Sequence, residues 1–587
     1  MDAKPIIRNI LISRGDAISY FEPESTVMSR SGDECVVALA DQWYLSYGDE
    51  EWRQTIAKHL HSGNFRGYND RIMEMLDQAL AWLGEWACSR QFGLGTQLPW
   101  DSKWVIESLS DSTVYMAYYT IAHFFHGSIE NLSGNNTSPY GIEANQLTDE
   151  VFDFIFLKGQ KPVTGISDTL LEDMKREFEY WYPMDLRVSA KDLIPNHLTM
   201  SLYNHAAVWR DRPEMWPRGI YCNGHIMVDA EKMSKSKGNF LMMEQCVEDY
   251  SCDATRFALA DAGDSVEDAN FDRSVANQAV LYLFNEEEWI RDILGAANGE
   301  IIRDSSNAAL VLRDNSTEYF MDRIFLNEIS FLSGCAKEKF ESMCYRDGLQ
   351  KAWFEPLIVR DLYRDWSLRC GIPMRLDILL KFIEVLAINM SPIIPHWSEN
   401  IWGLMNREGS VGNTFWPQVD PFDRLLRKQY IFFRDFMKNA RQSQLKSKEA
   451  ARKRAYIFLA STYEPKKITV LRFMQTVINS ETLSFPVDFI QLLKTFLESD
   501  PELKIDTKIL MQFGSFMKSE TDDRGIDALA VDLVFDQMQI LQENIGYIQK
   551  SLELDEVGLF NVHDSNIPGE RKKSDAATPG KPAFQFY

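Results

Sequence analysis

From Glu231 to Phe240 the chain reads EKMSKSKGNF. Lys232, Lys235 and Lys237 bring three ammonium groups into one short loop, Ser234 and Ser236 add hydroxyl donors beside Met233, and Gly238 lets the backbone turn without steric cost. A loop of that composition suits a polyanion, although an ordinary solvated turn uses the same residue types. A second stretch, DLRVSAKDLIPNHL from Asp185 to Leu198, sets an apolar strand before Ala190, Lys191 and Asp192, with His197 one turn on. An Asp at the carboxyl end of a parallel strand is placed to accept both hydroxyls of a ribose, where ligands of α/β sheets bind. His197 taken alone reads as a structural residue. In IESLSDSTVYMAYY, Asp111 and Tyr115 flank a helix start, where Ser110 and Asp111 also make sense as N-caps. SRQFGLGTQLPW, Ser89 to Trp100, packs glycines that bring backbone close to something else, a ligand or a structural corner.

These residues need positioning, and the chain shows three compositional regimes. Residues 1 to about 240 mix short β-like runs (Cys35 to Leu39, Leu186 to Ser189, Ile226 to Val228) with helices, an α/β pattern. The Ile226 run leads into the basic loop, and 242–250 after it reads as helix. From about 276 to 440, apolar residues recur at three- and four-residue spacing, as in Ile324, Leu326, Ile329, Leu332 and again in Ile378, Leu379, Phe382, Ile383, Val385, Leu386, which predicts a helical bundle. Beyond Arg454 a strand-like AYIFLA opens a further region with several helices. Residues 565–587, rich in Pro, Gly, Ser and Lys, read as a disordered tail.

With 587 residues and 45% hydrophobic content, the chain is long enough for several domains, each with its own core. Apolar runs are broken by charge before the roughly 18 to 20 residues of a membrane span, and the charged first 30 residues predict no leader. Eight Cys without a C-x-x-C pair, and no His at zinc-finger spacing, predict free thiols in a reducing compartment and no resident metal. A net charge of −24 excludes a bulk polycation of the DNA-coating kind. One local exception is KNARQSQLKSKEAARKR, Lys438 to Arg454, where Lys446, Lys448, Arg452 and Lys453 are candidates for phosphate contact, with a solvated helix face as the equal alternative.

KMSKS at Lys232 to Ser236, followed by Gly238-Asn239, resembles the signature loop of class I aminoacyl-tRNA synthetases. The Asp185 to Leu198 segment, GLGTxLPW, SDSTVYMA, SRSGDECVVAL, DQWYLSYG and SPIIPHWSENIW resemble, more narrowly, the archaeal and eukaryotic cytosolic leucyl-tRNA synthetases. The likeness fades after about residue 455. It implies the second half of a Rossmann-like catalytic domain, then an anticodon-binding-type bundle and a truncated C-terminal region. The implied spans are 1–45 for the end of an editing insertion, 46–240 catalytic with the KMSKS loop, 241–275 a stem-contact connection, 276–440 bundle, 441–564 an incomplete α/β region and 565–587 the tail.

The resemblance further implies a cytoplasmic leucine-tRNA ligase that joins leucine to ATP as leucyl adenylate, with Mg²⁺ riding on the ATP, and passes leucine to tRNA-Leu. Other aminoacyl-tRNA synthetases are candidate partners; membrane and DNA are not. Lys232 and Lys235 would meet the charge growing on pyrophosphate, with Met233, Ser234 and Ser236 around the nucleotide. Asp192 would hold the adenosine ribose, His197 and Ala190 would flank the nucleotide, and Asp111 and Tyr115 would lie by the leucine pocket. Two departures stand out. Ala190 replaces the family's usual Gly, and none of the nine His forms the His-x-Gly-His motif, so the chain reads as a piece that lacks one wall of the triphosphate site. A catalytically silent tRNA-binding or synthetase-interacting protein is therefore the second expectation.

Overall fold

Local signals place the helices near the site. Glu50–Leu60 starts where the Asp49 carboxylate accepts the Trp52 amide at 2.9 Å. Glu50 and Glu51 occupy its first turn and Lys58 its last, matching the helix dipole at both ends. Asp70–Trp82 is capped by Asn69 and buries Ile72, Leu76, Ala79 and Leu80 on one stripe. The computed structural model describes residues 3–587 apart from 21, 30–31, 39–40, 94, 127–137, 234–237, 304–308, 447–452, 480–483, 565–566 and 570.

The chain divides into two compact units, Met1–His225 with Ser265–Asp268, and Ile226–Asp264 with Ala269–Tyr587. The first is α/β. Its centre is the parallel pair Arg187–Ala190 and Ile220–Asn223, in register from Arg187 opposite Ile220 to Ala190 opposite Asn223. Arg66 extends the outer side of the second strand by a parallel bridge to Gly219. The other edge of the Arg187 strand has no strand partner among the described residues, and Val188 there is 59% exposed. Ile56, Leu60, Ile72, Leu76 and Leu80 pack on Ile194, Leu198, Leu202, Tyr203 and Ile220 to form the core beneath this pair. A second core joins Val151, Phe154 and Ile155 to Leu171, Met174 and Phe178, from helices Asp149–Phe156 and Asp168–Trp181.

The second unit opens with the hairpin Ile226–Val228 and Glu231–Lys232, the former also parallel to Ala269–Phe271. Helices Arg273–Ala297, Phe320–Glu341, Glu355–Cys370, Leu376–Met390, Pro395–Leu404 and Arg424–Lys446 follow. Leu376–Met390 is buried nearly all round, from Ile378 and Leu379 to Ile388, Asn389 and Met390, so it is the central helix of this unit. Arg454–Leu459 then pairs parallel with Glu556–Asn561 and antiparallel with Ala583–Phe586.

The order expected from the sequence, α/β and then helices, is the one observed. Two expectations change. The segment 565–587 is not a disordered tail over its described residues: Ala583–Phe586 is a sheet strand, and Phe586 is 4% exposed in the bundle core. Averaged composition hid a four-residue Ala-Phe-Gln-Phe run that needs only an open sheet edge to order it. The first compact unit also ends at His225 and not near 240, because the strand leading into KMSKS takes its parallel partner from Ala269–Phe271.

Candidate functional site

At the carboxyl end of the Arg187 strand the chain turns through Lys191–Leu193 and Ile194–Leu198 into helix Thr199–Val208. Asp192 emerges in that turn with its side chain 58% exposed, and the His225 imidazole lies beside it, with Nε2 at 3.9 Å from Oδ1. Lys191 is led elsewhere: its Nζ donates to Asp268 Oδ1 at 2.7 Å and to the Val266 carbonyl at 3.0 Å. The His225 amide donates to the same Asp268 oxygen at 2.9 Å. These bonds, Lys191 foremost, hold the Asp268 carboxyl below the usual carboxylate range. Asp268 reaches this place because Gly224 lets the backbone pass so closely that a Cβ would stand 2.1 Å from the Glu267 carbonyl oxygen. Asp268 thus removes the adjacent ammonium and leaves the Asp192 carboxylate open to hydroxyl donors.

His197 is 4% exposed, and its Nε2 lies 3.0 Å from Ser112 Oγ. The Ser112 hydroxyl proton is donated to the Ser108 carbonyl at 2.8 Å, so Nε2 carries the ring proton and donates to Oγ. Nδ1 is then a buried acceptor with no partner among the described residues. Burial depresses the His197 pKa, the Ser112 contact opposes this, and nearby Arg187 adds to it. The ring is held neutral. Its centroid is 6.2 Å from that of Tyr115, and the Arg187 guanidinium carbon lies 5.1 Å from the same Tyr115 ring.

Asp111 ends the helical turn Ser108–Asp111 and accepts from Thr96 Oγ1 at 3.4 Å. Neither Ser110 nor Asp111 caps that turn. Glu107 does, taking the Ser110 amide at 2.9 Å and its hydroxyl at 3.0 Å. The glycine loop is a structural corner: Gly95 has φ +157°, a Cβ there would meet Val105 Cγ1 at 2.9 Å, and the Ile106 amide bonds to the Thr96 carbonyl. Its use is to deliver Thr96 to Asp111. Ser201 Oγ donates to the Thr113 carbonyl at 2.7 Å and Asn204 Nδ2 to Thr113 Oγ1 at 2.8 Å, fixing the helix that follows His197 against the Asp111–Tyr115 segment. Asp111, Tyr115, Ala190, Asp192 and His197 therefore belong to one unit. Arg187, Ser112 and Asp268 complete the set and were not singled out from sequence.

A buried histidine on that helix gives a pH-dependent stability. His205 is fully buried, its Nδ1 donating to the Ser201 carbonyl at 2.7 Å and its Nε2 accepting from Tyr182 Oη at 3.0 Å. Burial lowers its pKa to about 4. The folded value lies below the unfolded one of about 6.5, so this contribution is complete above pH 6.5 and is lost as pH falls toward 4, about 3 kcal/mol in all. The urea midpoint of this unit should drop between pH 7 and pH 5, and His205→Gln should remove much of that slope. An unchanged slope in the variant would rule His205 out as its source.

In the other unit, Lys232 is exposed opposite Met227 in the hairpin, and Met233 is half-buried. Ser234, Lys235 and Ser236 lie outside the described residues. The loop is closed at its base, where Asn239 Nδ2 donates to the Lys232 carbonyl at 3.1 Å, and Asp229 and Ala230 take positive φ to make the preceding turn. Cys252, Asp253 and His396 come close enough to suggest a metal cluster. The Asp253 carboxylate, however, accepts the Trp397 amide at 2.6 Å and caps helix Pro395–Leu404.

Residues 11–272 match the family model for tRNA synthetases class I (I, L, M and V), and residues 322–457 that for the anticodon-binding domain of tRNA ligase. The cytoplasmic leucine–tRNA ligase of Pongo abelii is 38% identical over 601 residues, covering 100% of this chain and 49% of the relative. That of Arabidopsis thaliana is 39% identical over 100% of this chain and 54% of its own length. The chain belongs to the class I tRNA synthetases of the leucine type. It spans about half the length of the curated relatives it matches. The leucine–tRNA ligase of Aeropyrum pernix is 37% identical over 71% of this chain and 41% of that protein, so the likeness to this synthetase type extends to an archaeal member. A solved structure, Mycobacterium tuberculosis methionyl-tRNA synthetase in complex with methionyl-adenylate, is similar at a TM-score of 0.47 and 16% identity, over 69% of this chain and 72% of that one.

The basic stretch of this synthetase chain divides. Lys446 stands exposed at the end of helix Arg424–Lys446. Lys453 Nζ donates to the Glu553 carbonyl at 3.3 Å, Arg454 pairs with Glu556 at 3.3 Å and Arg441 donates to Ser551 Oγ at 2.8 Å. These three bind the chain to itself. Lys448 and Arg452 lie outside the described residues.

Proposed function

We propose that this chain serves a cytoplasmic leucine–tRNA ligase: leucine attacks the α-phosphate of magnesium-bound ATP, pyrophosphate leaves, and the leucyl group passes from the adenylate to the 3′ end of tRNA-Leu. The observation that carries this reading is the Asp192 carboxylate, left without an ammonium partner among the described residues at the end of a parallel strand because Asp268 has taken Lys191. In this reading Asp192 accepts the ribose hydroxyls, and the neutral His197 ring and Ala190 flank the nucleotide. Asp111 and Tyr115 serve the leucine side, and Lys232 and Lys235, with Met233, Ser234 and Ser236, attend the triphosphate. Among the basic residues, Lys446, Lys448 and Arg452 are the better candidates for tRNA phosphate, since Lys453 already has an internal acceptor. Mg²⁺ comes with ATP, because that ion usually keeps its waters and phosphates. The names of the relatives support leucine, tRNA-Leu and the cytoplasm as substrate, partner and place.

Calorimetry with adenosine and 2′-deoxyadenosine tests it. The chain should prefer the ribonucleoside, and Asp192→Ala should weaken adenosine by about ten- to a hundredfold, the value of hydrogen bonds to a charged acceptor, while abolishing the preference. Equal affinities for the two nucleosides before substitution would sink the assignment of Asp192.

A further inference from the structure

Arg187 is the one residue of the adenosine-side strand whose charge nothing in the site accounts for. It stands at the start of Arg187–Ala190, half-buried, while its neighbour Val188 points outward and is 59% exposed. Its Nε is buried without a hydrogen-bond partner among the described residues, and its guanidinium carbon stands 5.1 Å from the centre of the Tyr115 ring. Among the described residues no acid is ion-paired with it: Asp192 lies beside His225, and four others hold other groups. Glu107 holds the Ser110 amide and hydroxyl, Asp268 holds Lys191, Asp185 pairs with Arg218 at 3.0 Å, and Asp111 takes the Thr96 hydroxyl. A cation partly removed from water and left unpaired is costly, and a fold has little reason to keep one that no ligand meets.

The surroundings fix what such a ligand looks like. Arg187 and the His197 ring both stand against the Tyr115 ring, at 5.1 and 6.2 Å from its centre, so the guanidinium faces the same volume as the His197 ring. His197 Nδ1 contributes an unfilled acceptor. A planar guanidinium stacked on an aromatic ring presents a fork of N–H donors, which matches two oxygens of a carboxylate or a phosphate.

We propose that Arg187 is the oxyanion-binding residue of this site, gripping the negatively charged group that joins leucine to adenosine. The inference rests on the adenylate reading of the site. Two sources share that chemistry, the carboxylate of free leucine and the α-phosphate of the nucleotide, and paired probes separate them. AMP differs from adenosine by the phosphate, and leucine from leucinol by the carboxylate.

Calorimetry on the full chain with these four probes is the test. Arg187→Gln should weaken one anionic probe by roughly ten- to a hundredfold and leave its neutral counterpart nearly unchanged. Loss confined to AMP assigns the phosphate, and loss confined to leucine the carboxylate. Arg187→Lys should recover part of the loss, since it keeps charge without the fork. Should Arg187→Gln shift the melting temperature of the free chain, Arg187→Lys with a Tyr115→Phe control still tests charge separately from packing. Equal weakening of charged and neutral probes, or none, would overturn the assignment while adenosine binding and the Asp192 reading survive. Failure of the unsubstituted chain to bind adenosine at all would overturn both.

Discussion

Lys235→Ala should slow leucyl adenylate formation by roughly two to three powers of ten, the usual cost of removing one preorganised electrostatic stabiliser, while leucine affinity barely changes. The enzyme for this measurement is this chain fused behind the amino-terminal half of a full-length leucine–tRNA ligase, which supplies His-x-Gly-His. The asymmetry follows from where charge appears. Pyrophosphate gains negative charge only as the bond to the α-phosphate breaks, so an ammonium placed on it lowers the barrier without tightening the ground state. The base of the loop is suited to this, with Lys232 fixed on the hairpin and Asn239 bonded to the Lys232 carbonyl. Transfer of leucine from preformed adenylate to tRNA should suffer far less, because pyrophosphate has already gone. Pre-steady-state ATP–pyrophosphate exchange and single-turnover transfer separate the two steps. If exchange is unimpaired in the variant, the loop has no electrostatic role in the first step.

What the sequence made legible follows from the range of each interaction. The helices of the second unit were readable because Ile324, Ile329 and Leu332, or Ile378, Phe382 and Leu386, repeat at the spacing that helical burial demands. The strand before Asp192 was readable for the same local reason. Its meaning as an open carboxylate was not, since that depends on Asp268, brought in by the close backbone passage at Gly224. Ser112 fixes the tautomer of His197 from 85 residues away. Arg187 carried no signal, because only the packed chain shows that no acid pairs with it among the described residues and that the Tyr115 ring stands over its guanidinium. The cap at Glu107 was missed for a propensity reason, as Ser and Asp are the residues expected there.

The largest stability effect should come from the second unit, at Asp322. This carboxylate is fully buried near the start of helix Phe320–Glu341. It accepts two bonds from Arg313 at 2.6 and 2.5 Å, one from Tyr363 Oη at 2.5 Å and one from the Tyr319 amide at 2.8 Å. Tyr363 Oη in turn accepts the Arg375 amide at 3.0 Å, so one acid satisfies a hydroxyl, an amide and a guanidinium and orders a second turn through them. Asp322→Ala should cost about 3 to 5 kcal/mol, because it strands a largely buried Arg313 charge as well as removing four bonds. Asp322→Asn should recover only a minor part, since its amide nitrogen turns a donor toward Arg313. Urea unfolding of the whole chain, followed with hydrogen exchange along Phe320–Glu341, measures this, and a loss below about 1 kcal/mol, the scale of an ordinary surface pair, would mean the network does not act as a unit. Adenosine affinity, which rests on Asp192 in the other unit, should be unchanged wherever the bundle stays folded, and that separation distinguishes a scaffold carboxylate from a binding one.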